Sequence, residues 1–232
     1  MPEISVTLSA NAGVALEIDG RRLWVDALHE KKEECYSSVT PQLQQKMLGC
    51  EAFFRPEYIC YTHNHGDHYS ARLTEAACKL WPEAKVLSPE TEVNGPEYIL
   101  EDRDLKLHFI QLPHEGERFA DVKHYGLLIS FHGCNILIPG DCAVASPVLD
   151  TAIRGISVDL VLLDFPWITL RKGLEFVYSH FRESHVIVYH LPFEEDDVIG
   201  YRPVVQRTVR GLKKPWDVRI LQNPLQSEIV NI

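Results

Sequence analysis

Apolar and polar residues alternate through Ile4-Ser5-Val6-Thr7-Leu8 and again through Val14-Ala15-Leu16-Glu17-Ile18. A period of two puts one face of each strand in a core. Asp19-Gly20 supplies a tight turn before Leu23-Trp24-Val25, so the chain is expected to open as an antiparallel meander. Residues from about 40 to 54 have a helical pattern, and Tyr58-Ile59-Cys60-Tyr61 reads as a short apolar strand. Ser70 is placed to cap a helix through Leu80, with Leu73, Ala76, Ala77 and Leu80 at helical spacing and Pro82 just past its end. Val86-Leu87 and Leu105 to Leu112 are further strands. Tyr125 to Ser130 and Asn135 to Ile138 pair as a hairpin around His132-Gly133. Leu160 to Leu163 is a buried strand. A helix near 171–182 precedes the strand Val186 to Tyr189, and a last helix near 202–212 leads into Val218 to Leu221. Strands early, then helices mixed with strands, predict two sheets covered by helices in one domain spanning residues 1–232.

Composition changes this picture little but excludes several partners. Hydrophobic residues make up 45% of the 232 positions and charged residues 24%, as in a folded chain with a real core. Acidic residues number 33 against 23 basic ones, for a net charge of −10. A binder of nucleic acid needs Lys and Arg to displace counterions from phosphates. Lys31-Lys32 is followed by Glu33-Glu34, and Lys213-Lys214 is only a pair, so no nucleic-acid partner is expected. No run of about eighteen apolar residues occurs, so no membrane span is expected. The opening MPEISVTLSA lacks the basic and apolar regions of a secretion signal. None of the six cysteines forms a CxxC pair, which points to reduced, buried thiols and a cytoplasmic location.

The chemistry is concentrated in His63-Asn64-His65-Gly66-Asp67-His68. Of the 11 histidines, three fall in this run. Histidine and carboxylate are the common ligands of zinc and similar ions. In an extended stretch, residues two apart point the same way, so His63 and His65 can converge on one metal. Asp67 and His68 break the alternation and can turn toward a second. Gly66 is expected to permit the tight backbone path between them. The run lies between a strand and a helix start, where loops commonly carry sites.

The segment Thr62 to His68 resembles the HxHxDH signature of the metallo-β-lactamase-fold hydrolases. Gly13 to Asp26 resembles that family's opening hairpins. Ile136-Leu137-Ile138-Pro139-Gly140-Asp141 resembles its strand ending in Gly-Asp, and Val186 to His190 resembles its late strand ending in a His ligand. The resemblance implies an α/β fold of the α+β kind, a four-layer αββα sandwich. It implies two divalent metal ions, zinc first, with manganese or iron also suited to an all nitrogen and oxygen ligand set. By the same resemblance His63, His65 and a third His hold the first metal. Asp67, His68 and His190 hold the second, and Asp141 bridges both. The third His is His114, with His124 as the rival that could instead line the pocket. Asp26 and Asp164 end strands, where a carboxylate can orient a ligand or anchor a loop. Cys142, beside Asp141, reads as a small buried residue. Tyr69 and Trp167 read as pocket neighbours, and Phe193-Glu194-Glu195-Asp196-Asp197 as a solvated loop. His29, His108, His132, His180 and His185 read as surface or locally hydrogen-bonded.

The activity this implies is hydrolysis of a small anionic ester, lactone or phosphodiester by a metal-bridging hydroxide, with Asp67 as the proton-handling catalytic group. The lean chain resembles the small cytosolic, lactonase-like branch. An iron-dependent redox protein of the same fold and a non-catalytic metal-binding protein are the alternatives. The sequence leaves the oligomeric state open.

Overall fold

The computed structural model describes residues 3–33, 35–212 and 216–232. Glu34 and the Lys213-Lys214 pair lie outside the described residues. In chain order the elements are β1 (Glu3–Leu8), β2 (Val14–Ile18), β3 (Arg21–Val25), α1 (Pro41–Leu48), β4 (Tyr58–Cys60), α2 (Ala71–Leu80), β5 (Lys85–Leu87), β6 (Glu97–Asp102), β7 (Leu105–Gln111), β8 (Tyr125–Phe131) and β9 (Cys134–Ile138). There follow α3 (Pro147–Ala152), β10 (Leu160–Asp164), α4 (Pro166–Thr169), α5 (Arg171–His180), β11 (His185–Tyr189), α6 (Tyr201–Gly211), β12 (Val218–Ile220) and β13 (Ser227–Asn231). The architecture is mixed α/β with two sheets, and the chain divides into two compact units.

Unit 1 comprises residues 1–92, 190–202 and 221–232. Its six-stranded sheet has the order β13-β1-β2-β3-β4-β5. The expected meander is present: β1 pairs antiparallel with β2, and β2 with β3. From β3 onward the pairing turns parallel, with Val25 opposite Cys60 and Cys60 opposite Leu87. Parallel pairing needs a crossover, and α2 provides the one between β4 and β5. Its N-cap is Ser70, whose side chain accepts from the Leu73 amide. Trp24 anchors this unit's core, 5.7 Å from Phe53 and 5.1 Å from Trp81 by ring centroids. The helix expected over about 40–54 ends at Leu48, and a single 3₁₀ turn takes up Glu51–Phe53. Gly49, at the C-cap, donates back to the Lys46 and Met47 carbonyls and closes the helix.

Unit 2 comprises residues 93–189 and 203–220. Its seven-stranded sheet runs β12-β11-β10-β9-β8-β7-β6. Strands β6 to β9 form an antiparallel meander that includes the expected hairpin at His132-Gly133. Strands β9, β10, β11 and β12 are parallel. Leu160 to Leu163 are fully buried, as an apolar run covered on both faces requires. Trp167 is also fully buried, 5.3 Å from Phe176, so it is a core residue and not the expected pocket neighbour.

The consequence for function lies at strand ends. Because β3 and β4 run parallel in register, Asp26 and Thr62 leave the sheet at the same edge. Among the described residues, no helix is long and apolar enough to cross a membrane.

Candidate metal centre

Asp26 follows β3 with a left-handed φ of 52° and is fully buried. Its Oδ1 accepts the Thr62 backbone N–H at 2.8 Å. Its Oδ2 accepts the Thr62 hydroxyl at 2.7 Å and the His68 Nδ1–H at 3.0 Å. A hydroxyl has one proton, and that of Thr62 is given to Asp26. Thr62 Oγ1 can then only accept from His63 Nδ1, which lies 3.0 Å away. One buried carboxylate therefore sets two rings. His63 and His68 both carry their proton on Nδ1, and both present an Nε2 lone pair. Orienting ligands in this way raises their basicity and fixes the ring plane.

Those lone pairs meet further nitrogens at a telling distance. His63 Nε2 lies 3.0 Å from His65 Nδ1, and His68 Nε2 lies 3.2 Å from His190 Nε2. Two nitrogens bound tetrahedrally to one zinc at about 2.0–2.1 Å stand about 3.3 Å apart. An N–H···N hydrogen bond has similar length, so the spacing alone does not define a metal site. The second pair has a further member: Asp67, His68 and His190 each bring a donor atom within 4.8 Å of the others. A carboxylate, two imidazoles with fixed lone pairs and near-complete burial form the donor set of a hard or borderline divalent ion.

The loop itself is built for close approach. Gly66 is not in the left-handed region, contrary to the expectation of an unusual backbone path. It is needed because a Cβ there would come within 2.6 Å of Lys31 Cδ and 2.9 Å of Lys31 Cβ. Lys31 donates its backbone N–H to the Gly66 carbonyl, which fixes its stem over the loop. His190 has φ of 58°, and Tyr36 packs edge-on against its ring at 4.8 Å. Tyr69 is half-buried and packs against Tyr61 at 4.8 Å.

His29, read as surface or locally hydrogen-bonded, is fully buried. Its Nε2 lies 3.0 Å from the Ala10 carbonyl oxygen. Burial pushes its pKa down to about 4, against the carbonyl, which favours the protonated ring; His68 and His190 also oppose its charge. The remaining surface readings hold. His108 faces Glu97, His132 faces Asp104, His180 faces Asp150 and His185 faces Asp217.

Unit 2 carries the other two expected ligands side by side. His114 and Cys142 form an isolated bridge, and Glu115 N–H donates to the Asp141 carbonyl at 2.8 Å. His114 Nδ1 donates to the Glu115 carbonyl at 2.8 Å, which leaves Nε2 as its acceptor nitrogen, 3.6 Å from Asp141 Oδ2. His124 is fully buried, with Nδ1 against the Leu112 carbonyl at 3.2 Å and its ring 5.4 Å from that of His114. Cys142 is fully buried, and burial with the nearby Asp164 carboxylate pushes its thiol far up, so it stays protonated. The acidic run is more than solvated loop. Asp196 accepts from Ser37, and Asp197 accepts the backbone N–H groups of Gly200, Tyr201 and Arg202 at the start of α6.

No protein-family model matches this sequence, and no curated protein sequence matches it. Solved structures do match. One is the metallo-β-lactamase fold protein YhfI from Bacillus subtilis, with a TM-score of 0.67 and 12% identity over 99% of both chains. Another is a possible metal-dependent hydrolase from Veillonella parvula, with a TM-score of 0.68 and 12% identity over 98% of this chain and 99% of the other. A third is a diphosphatase of the PhnP family, with a TM-score of 0.57 and 14% identity over 100% and 98%. The chain has the metallo-β-lactamase fold.

Proposed function

We propose that the protein is a metal-dependent hydrolase of a small anionic ester, lactone or phosphodiester. The observation that carries this reading is the relay from Asp26 through Thr62 to His63 and directly to His68, which arms two Nε2 lone pairs beside Asp67. A surface histidine cluster has no need of a buried carboxylate that dictates its tautomers. We take His63, His65, Asp67, His68 and His190 as ligands, with His114 and Asp141 completing the set of seven. The match over nearly the whole length of each similar structure supports treating residues 1–232 as one metallo-β-lactamase domain.

When bound, two divalent ions lower the pKa of water and polarise the oxygen under attack. The protein's part is positional. Asp26 holds the His68 ring through Nδ1 and the His63 ring through Thr62. Asp67, 7% exposed, would hold a proton and pass it to the leaving group. Two divalent ions outweigh the charges of Asp67 and Asp141, so the loaded centre favours a substrate that gains negative charge in the transition state. One similar structure is a diphosphatase, which supports including phosphorus esters among the substrates.

The test is a panel of chromogenic esters, lactones and phosphodiesters assayed with zinc and with manganese, alongside elemental analysis of protein purified without chelator. About two metals per chain and turnover of at least one class are expected. Asp67→Ala is expected to abolish that turnover while the melting curve of chelator-treated protein is preserved. Full activity in that variant removes Asp67 from the chemistry, and a metal-free wild type removes the mechanism. Bound iron with a visible absorption band and no hydrolysis supports a redox protein instead.

A further inference from the structure

The loop between β1 and β2, residues 9–13, carries no residue of the histidine signature, yet it reaches the same ligands. Ser9 N–H donates to the Gly13 carbonyl and Gly13 N–H to the Ala10 carbonyl, each at 2.8 Å, which closes a compact turn. Gly13 lets this turn lie flat against the end of β3: a Cβ there would come within 2.6 Å of the Asp26 carbonyl oxygen and 2.7 Å of Ala27 Cα. At its tip Asn11 is fully buried with φ of 48°.

Asn11 makes three connections. Its Nδ2 lies 3.2 Å from Asp67 Oδ2 and 3.4 Å from the Asp67 carbonyl oxygen. Its own carbonyl accepts the His190 backbone N–H at 3.1 Å. Its Oδ1 is buried without a hydrogen-bond partner among the described residues. Turning the amide over would set Oδ1 against the Asp67 carboxylate, oxygen against oxygen, so the donor orientation is the one chemistry allows.

The residue choice is informative. A left-handed backbone position accepts Gly, Asn or Asp readily. Gly would hold the turn and offer Asp67 nothing. Asp would bring a second carboxylate against Asp67 Oδ2. Only Asn tolerates the backbone, stays neutral and donates. Burying an amide whose oxygen is left unpaired costs stability, so the turn alone does not explain it.

We infer that Asn11 is a positioning residue for the metal centre: it pins Asp67 Oδ2 and, through its carbonyl, fixes the backbone of His190. This rests on the metal-centre reading given above. Asp67 and His190 are two of the three donors that converge in unit 1, so one residue from an unrelated loop holds both at their working separation.

The experiment is calorimetric titration of the full, chelator-stripped chain with Zn²⁺ alone, for wild type, Asn11→Gly and Asn11→Asp. Glycine keeps the left-handed turn and the carbonyl to His190 but removes the amide. Asn11→Gly is expected to keep its chelator-treated melting curve, to lose about 10- to 100-fold in affinity for the weaker zinc, and to lose kcat with KM little changed. Zinc affinities within twofold of wild type overturn the inference. If Asn11→Gly does not fold, Asn11→Asp decides: it keeps the turn and the side-chain shape without the donor, so wild-type kcat there overturns the inference and a loss of kcat supports it. A wild type that binds no zinc overturns the metal-centre reading and this inference with it. A wild type that binds zinc, with an unaffected Asn11→Gly, overturns this inference alone.

Discussion

Replacing Asp26 by Asn tests the relay at its source. The substitution keeps size and shape but exchanges one acceptor oxygen for an NH₂. Asp26 Oδ1 faces the Thr62 backbone N–H, which cannot turn round, so the amide oxygen must take that place. The NH₂ then stands where Oδ2 accepted from both the Thr62 hydroxyl and His68 Nδ1. Donors now face donors. The Thr62 hydroxyl can relieve its clash by accepting, but its proton must then go to His63 Nδ1, so the His63 ring moves its own proton to Nε2. His68 relieves its clash in the same way. Both Nε2 atoms become donors, and neither offers a lone pair. Each hydrogen bond to a buried carboxylate contributes about 1.5–3 kcal/mol, and two of three are lost or weakened, so a stability loss of about 2–4 kcal/mol is expected. Disturbing a ligand's orienting partner costs about 10- to 100-fold in metal affinity, and here one partner serves two ligands. The assay is competition for Zn²⁺ against a chromogenic chelator, with nitrogen-15 NMR reporting the ring tautomers of His63 and His68. Wild-type zinc affinity, or rings still protonated on Nδ1, would refute the reasoning.

Two further outcomes follow from groups outside the histidine run. His29 is held at about 4 by burial, below the ordinary 6.5, so above pH 6.5 it is neutral in both folded and unfolded chains. As pH falls through 6.5 the unfolded chain takes up a proton that the folded chain refuses, and stability drops until about pH 4, by about 3 kcal/mol in all. Urea unfolding of chelator-treated protein at pH 7 and pH 4.5 is expected to show a smaller acid loss in His29→Leu than in wild type, and equal losses would contradict this. Asp197→Ala removes the acceptor of three backbone N–H groups at the start of α6 and is expected to cost about 1–2 kcal/mol in thermal or urea unfolding. An unchanged midpoint would mean that water replaces the carboxylate there at no cost.

What the sequence disclosed and what it hid divide along a physical line. The meander, the Ser70 cap and the hairpin at His132-Gly133 were legible because each is decided within one or two periods of its own segment. Strand β6 is hidden because Tyr98-Ile99-Leu100 blurs the alternation of an edge strand, and β13 because Ile229-Val230 breaks it, while α3 and α4 are too short to show a period. The histidine run was legible because its ligands are neighbours in the chain. The groups that orient them are not: Thr62 lies 36 residues from Asp26, and Asp67 lies 56 from Asn11. Only the parallel register of β3 with β4, and the turn that Gly13 allows against β3, bring them together. The burial of His29 is hidden for the same reason, since a lone histidine gives no local sign of it. Gly66 is required by room for Lys31, a neighbour distant in sequence, and not by backbone freedom. The HxHxDH run supplies atoms that can bind an ion, but a histidine offers a lone pair on only one nitrogen at a time. Asp26 decides which nitrogen that is in His63 and His68, and Asn11 restrains the carboxylate beside them. Changes at these two positions therefore tune the centre while leaving every residue of the signature in place.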